Sequence, residues 1–512
     1  MFCQVVYSPA PTLERDVPVA TKPASSRPPT RTWGKDLLLL LLITIGAVLV
    51  HGYHPWAEDA EIYLPGIEKT LQPDLFPFNA QFFETHAHST FYPNLIAASA
   101  RSSHLPLEAV TFIWQLASIF LFLLACRCLA VKCFSDPAAC WAGVLLIAAL
   151  LTLPIAGTAL YILDQYLNPR NLSAFAQVFA IVRILDRKYL QAGLFLLFAA
   201  AVHPFMALFA ISYCGLLIVV REFDLRLAAF AAFLPFGLTL DPPPKTYHLA
   251  IAAHSFHYIT RWHWYEWLGA LAPLGILWWF SHLARSRQRS NLDLLCRTLL
   301  IYELAFLPVA LLLSIPARLE ALGRLQPMRC LYLLYILMFL FAGTLLGEYI
   351  LKRHWWRWVL FFAPLAAGMF VAQLVLFPGT PHVEWPGVHS SNAWEQAFVW
   401  VRDNTPRDAI FALDPQYIKI PGEDAQGFRA VAQRSRMADR RDAGAVSMFP
   451  EMSDEWYRQI QAQSGWKTFQ IPDFQRLGRD YGVSWVVLQQ PGVSGLDCPF
   501  HNTQVLVCRL ND

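Results

Sequence analysis

Residues 190–220 read LQAGLFLLFAAAVHPFMALFAISYCGLLIVV, an apolar run with a histidine and a proline near its middle. As a single helix it would be about 46 Å long at roughly 1.5 Å per residue, against the ~30 Å of a bilayer's hydrocarbon. That is too long for one crossing and short for two full ones. The choice fixes the sidedness of everything downstream. If the chain turns at His203-Pro204, the basic loops RSRQR (285–289) and KRHWWR (352–357) are cytoplasmic; if it crosses once, both are outside. Positive loop charge is retained in the cytoplasm, which favours the turn.

Composition supports spans on either side. Of 512 residues, 56% are hydrophobic and 15% charged, outside the range of a soluble globular chain. Further apolar runs lie near 37–50, 107–126, 139–158, 172–186, 227–240, 267–283, 294–315, 329–350 and 356–377. With the turn, the chain reads as a polytopic α-helical membrane protein of about 11 transmembrane helices, N-terminus inside and C-terminus out. The net charge of +3 is scattered, without a basic stripe interleaved with aromatics, so nucleic acid is excluded as a partner.

Three segments follow. Residues 1–35 are rich in Pro, Ser and Thr with several Lys and Arg, and read as a disordered cytoplasmic tail. Residues 36–378 hold the spans, with a first outer loop at 52–106. Residues 379–512 carry charge throughout and alternate helix and strand patterns: NAWEQAFVWVR (392–402) is an amphipathic helix, and AIFALDP and VSWVVLQ are strands. They read as an extracytoplasmic α/β domain with no P-loop, dinucleotide fingerprint, zinc spacing or nucleophile elbow. Its arginine-rich FRAVAQRSRMADRRDAG (428–444) reads first as a solvated face, with phosphate contact as the alternative. Cys498 and Cys508 flank a turn in this exported segment, where a disulfide would persist.

The chemistry gathers outside; of 15 histidines, only His282 and His354 fall on the cytoplasmic side. HGYHPWAEDAEIYLP (51–65) places Glu58, Asp59 and Glu61 just past the first span. A lone loop carboxylate usually marks solvent. Three within four residues, hemmed by Trp56 and Tyr63 at the membrane boundary, would be partly desolvated, raising their pKa values toward those of a general base. His86 and His88 close the same segment. In GTALYILDQYLNPRNLSAF (157–175), Asp164, Tyr166, Asn168 and Arg170 surround a helix start, with the Asn171 and Ser173 side chains available as caps. An apical His203 would face a wet cavity or pack on a carbonyl, since lipid satisfies neither ring nitrogen.

Two more outer loops complete the set. Residues 241–267 hold His248, His254, His257 and His263, with no HExxH-like pattern to make them metal ligands. RLEALGRLQPMR (318–329) brings Arg318, Arg324 and Arg329 to the outer end of a span, against the positive-inside trend. Such cations are costly unless they bind an anion, and a lipid phosphate is the obvious one.

With these residues in place the chain resembles the GT-C superfamily of polytopic membrane glycosyltransferases, in a bacterial branch. The resemblance is carried by AEDAEIYLP after the first span, GTALYILDQYLNPRNLS, the VHPFMA turn, RLQPMR, and a terminal extracytoplasmic α/β domain. It implies inverting transfer of a sugar from a polyprenyl-phosphate donor to a glycan, lipid or protein acceptor on the outer face of the inner membrane. Asp59, or failing it Glu58, would be the base. Arg329, Arg324 and Arg170 would hold the leaving phosphate, and His203 and His88 would shape the sugar pocket. Glu61, His86, Asp164, Tyr166 and Gln326 complete the implied substrate contacts, and a divalent cation, Mg or Mn, is permitted. A secondary transporter is the alternative, but no internal repeat supports it; a non-catalytic scaffold or sensor is another.

Overall fold

The apolar run of residues 190–220 breaks where proline demands it. In the computed structural model, helices Tyr189–Val202 and Pro204–Glu222 are separate, and His203 between them is extended, the conformation a residue before proline prefers. The chain reverses here. Arg221, at the end of the second helix, donates to the Ile184 and Leu185 carbonyls, just before the first helix begins. At the other end, the Ala201 carbonyl accepts from Phe91 of the first outer loop.

The structure describes residues 33–222, 244–252, 254–314, 322–388 and 391–510. The expected disordered tail, the run at 227–240 and Arg318 lie outside them. The chain divides into two units. The first ends at Leu39 and is described only from residue 33, where helix α1 (Trp33–His51) begins. The second, Leu40–Asp512, carries everything below.

Among the described residues seven helices are long and apolar enough to cross a membrane. Besides α1 and Pro204–Glu222 they are Leu107–Cys133, Trp264–Ser286, Ser290–Ser314, Leu322–Leu351 and Trp355–Leu376. The runs at 139–158 and 172–186 fold as helices Pro137–Ala149 and Pro169–Leu185, of 13 and 17 residues. Leu153-Pro154 stops the first, and a two-stranded hairpin, β1 (Pro154–Ile155) with β2 (Leu160–Tyr161), follows. Both short helices are largely enclosed by their neighbours. By contrast only 6% of the apolar window of Trp355–Leu376 is buried, and Leu360 and Val375 point outward at 68% and 75% exposure. In water such a face would be untenable; in lipid it costs nothing. The chain is a multi-pass membrane protein.

Small residues set the closest approach in the bundle. A methyl group on Gly143 would collide with Thr344 and the Leu340 carbonyl, so Pro137–Ala149 and the late span meet backbone to backbone.

After the last span, a five-stranded sheet has the order β4-β3-β5-β7-β6. β3 (Ile410–Ala412) runs parallel to β4 (Ser435–Arg436) and β5 (Trp485–Gln489); β7 (Val505–Arg509) is antiparallel to β5 and to β6 (Asp497–His501). Helix Ala393–Asn404 covers one face through Trp394, Phe398 and Val401, and Ile471–Tyr481 covers the other through Phe474 and Leu477. Cys498 and Cys508 are joined across β6 and β7.

This sheet-bearing segment does not stand apart from the first outer loop. Ala57 bridges to Gln426, Gly427 N–H donates to the Trp56 carbonyl, and Glu61 enters a buried ion cluster. Both belong to the same unit.

Candidate functional site

His203 holds the turn together. Its amide closes the first helix on the Ala199 carbonyl at 2.8 Å, and its Nδ1 accepts the Met206 N–H at 3.3 Å, capping the second. With Nδ1 accepting, the remaining ring proton sits on Nε2. The ring lines a cavity of about 460 Å³, shared with Glu58, Asp59, Asp164, Arg170 and Arg329.

The segment after the first span contributes Glu58 and Asp59. Glu58 has φ +50°, a left-handed conformation that non-glycine residues adopt at a cost of roughly 1–3 kcal/mol. It is held there by its amide donating to the Ala425 carbonyl at 3.0 Å. Its side chain lines the cavity. Burial, then the charges of Asp59 and Asp164, push its pKa up to about 7 against the pull of Arg441 and Arg170. Asp59 ends the turn before helix Ala60–Leu71; its amide donates to the Tyr166 hydroxyl at 3.2 Å. Its carboxylate makes no hydrogen bond or ion pair among the described residues and faces the cavity.

The segment 157–175 is locked by its helix start. The cap is Asn168, whose Oδ1 accepts Asn171 N–H at 2.9 Å, rather than the Asn171 or Ser173 side chain. Asn171 instead spans the loop, donating to the Asp164 and Tyr166 carbonyls and accepting Asp164 N–H. Asp164 Oδ2 receives Asn168 Nδ2 and Arg170 Nη2, both at 2.6 Å. Arg170 therefore borders the cavity as half of an ion pair.

Arg329 differs. It sits in the 3₁₀ turn Pro327–Cys330, its guanidinium stacked over Phe205 at 5.2 Å, with no ion-pair partner among the described residues and a buried Nε left unbonded. Phe205 follows Pro204, so the helix break and the RLQPMR turn meet at this contact. Beside Arg329, Gln326 also lines the cavity. His86 completes the set, its pKa lowered by burial to about 4, so it is neutral near pH 7.

Three expected site residues lie elsewhere. His88 is exposed at the end of helix Gln81–His88, and Arg324 is not on the cavity wall. Glu61 is fully buried beneath it, and both its oxygens are taken. Oε1 meets Arg436 Nε at 2.9 Å; Oε2 accepts Arg429 N–H at 2.8 Å and Ala430 N–H at 3.3 Å. Arg429 makes a two-point contact with Asp442 at 2.8 and 3.1 Å, and Arg436 adds Asp439 and Asp442. The run 428–444 is thus an interior ion cluster, correcting its reading as a solvated face. Gly427 is needed for the approach, since a Cβ there would lie 2.7 Å from Glu61 Oε2.

Arg441, Ser447, Tyr63 and His257 also line the cavity and were not assigned to it from sequence. Arg441 Nη2 donates to the Ala425 carbonyl at 2.7 Å, and Nη1 is buried without a partner. Its signal in the sequence was an excess of cations, five arginines against Asp439 and Asp442 in residues 428–444, but nothing local singles out Arg441. Among the described residues no group of three or more His, Cys, Asp or Glu side chains is arranged to hold a metal, and Asp164 Oδ2 is spent on Asn168 and Arg170.

A family model described as a domain of unknown function (DUF6798) matches residues 392–462. Comparison with curated proteins gives no match. Among solved structures, the chain is similar to the archaeal oligosaccharyltransferase AglB from Archaeoglobus fulgidus in complex with an inhibitory peptide and a dolichol-phosphate. That match has 14% identity and a TM-score of 0.46 and covers 90% of this chain and 70% of that one. The apo form of the Archaeoglobus fulgidus oligosaccharyltransferase is similar at 12% identity, TM-score 0.46 and the same coverage. Its complex with Zn and sulfate is similar at 14% identity, TM-score 0.42, covering 88% and 67%.

Proposed function

We propose that this protein is a GT-C-type glycosyltransferase that moves a sugar from a polyprenyl-phosphate donor to an envelope acceptor at the outer face of the bacterial inner membrane. One observation carries the reading: two outer-loop carboxylates, Glu58 and Asp59, share a cavity with Arg329, a cation that makes no ion pair among the described residues. A partly buried guanidinium without a contact partner is costly, and an anionic ligand at that wall offsets the cost.

In this reading Asp59, or Glu58, accepts the proton of an acceptor hydroxyl as its oxygen attacks the anomeric carbon. The bond from that carbon to the phosphate oxygen breaks, and its electron pair stays on the phosphate. Arg329, with Arg441 and His203 Nε2–H, meets the charge that grows there. A single displacement from the opposite face inverts the anomeric centre. Arg170 holds Asp164 and keeps the loop in register. No step is assigned to a metal ion.

The test is transfer by the purified protein in nanodiscs, given polyprenyl-phosphate sugars and envelope acceptors, with Asp59→Asn and Arg329→Ala alongside. Unchanged transfer by both variants would remove the assignment. Protease shaving of intact spheroplasts tests the sidedness: residues 379–512 should be cut from outside.

A further inference from the structure

A second cleft, of about 720 Å³, lies beside the first, within the roughly 300–1,000 Å³ of small-ligand pockets. A thin partition separates them: Ile418 lines the carboxylate cavity and Lys419 the cleft, and Arg441 and Arg440 divide in the same way. The other walls come from residues 460–468 and from Leu249 and Ala252 of helix Tyr247–Ala252.

Its chemistry differs from that of its neighbour. Lys419, Arg440 and Lys467 face it against a single carboxylate, Asp414, one oxygen of which accepts the Gln416 N–H at 2.9 Å. None of the three cations forms an ion pair among the described residues. Gln416, Gln461 and Gln489 are exposed on the wall, whereas Gln463 is spent on the Ala438 and Gln459 carbonyls. Trp466, half-buried, is braced by Phe469 and Phe474 with ring centres 5.4 and 5.3 Å away.

These groups match one ligand class. A carboxamide both donates and accepts, as a sugar hydroxyl does. A braced indole gives a flat apolar surface for the C–H face of a pyranose at little entropic cost. The excess of cations asks for carboxylate or phosphate on that sugar. An acidic peptide would use the cations, but the cleft offers it side-chain amides and an indole rather than a free strand edge.

We propose that this cleft binds an anionic oligosaccharide and docks the acceptor glycan beside the carboxylate cavity. Only the word acceptor rests on the transferase reading; the binding does not.

The experiment titrates the full-length protein in nanodiscs with a hexuronic-acid tetrasaccharide, its carboxyl-reduced neutral counterpart and an acidic peptide, following tryptophan fluorescence. The uronate should bind at least tenfold tighter than the other two. The Lys419→Gln/Lys467→Gln double variant, altering two exposed side chains, should weaken it at least tenfold, and Trp466→Ala should remove most of the fluorescence response. Asp59→Asn should bind as the parent does, which separates this site from transfer. No uronate binding, equal binding of the neutral sugar, preference for the peptide, or an unaffected double variant would each overturn the proposal.

Discussion

The carboxylate of Glu61 contacts the Arg436 guanidinium at 2.9 Å across 375 residues of chain, with both side chains fully buried. Through this contact the helix after the first span and the sheet-bearing segment become one body. It also gives neighbouring carboxylates opposite duties: Glu61 faces arginines in the interior, while Glu58 and Asp59 face the cavity.

Replacing Glu61 should therefore act on stability. Glu61→Ala leaves Arg429 and Arg436 partly uncompensated in the interior, an effect of about 3–5 kcal/mol, and thermal unfolding should show a clear drop. Glu61→Gln, which keeps the size and an acceptor oxygen, should lose less. Within the cluster, burial tends to raise Asp442, but Arg429 and Arg436 overcome it and hold the carboxyl below its usual range. A depressed carboxylate stabilises the fold above its unfolded pKa and loses that contribution as pH falls through the folded value. Acid unfolding should thus begin below the ordinary carboxylate range, and Asp442→Asn should destabilise at neutral pH.

Glu58 carries the opposite sign. With its pKa near 7 in the fold and about 4.3 when unfolded, it favours the folded state when protonated, and that contribution fades as pH rises between the two values. Glu58→Gln should raise the melting temperature at pH 8 and change it little at pH 4. If Glu58 is the base, the parent's transfer rate should climb through about pH 7 and then level off. A rate that instead falls through pH 7 would make Glu58 an acid.

Arg329 and Arg170 should separate kinetically. Arg329→Ala removes the unpaired cation and should lower transfer by roughly 10²–10³-fold with the fold intact, and Arg329→Lys should recover part of it. Arg170→Ala leaves Asp164 and Asn168 without their partner, so its loss of rate should come with a lower melting temperature.

His203 tests the helix break. His203→Ala removes the acceptor for Met206 N–H, a cap worth about 1 kcal/mol, together with the ring's donor. His203→Asn restores a capping oxygen. Stability should return with asparagine more fully than transfer does; equal recovery of both would reduce the ring to a cap.

Much of this could be read from the chain because it was local. Proline after an over-long apolar run forced the break at His203, the Glu58-Asp59 pair stood at the end of a span, and Asn168-Pro169 announced a helix start. What escaped was set by contacts distant in sequence. Nothing near Glu61 tells it from Asp59; the difference is Arg436, in a segment that local reading placed in solvent. Arg170 looked free because its pairing with Asp164 depends on how the loop closes. The helices at 137–149 and 169–185 are packed mostly against other helices, which hydropathy alone does not foretell, because it does not distinguish burial in protein from burial in lipid.

The left-handed backbone at Glu58 has an evolutionary corollary. In any descendant that gave up the chemistry, selection for the acidic side chain would lapse while the awkward dihedral stayed. Glycine or asparagine, the residues most at ease in that geometry, would then be the expected fossil at position 58.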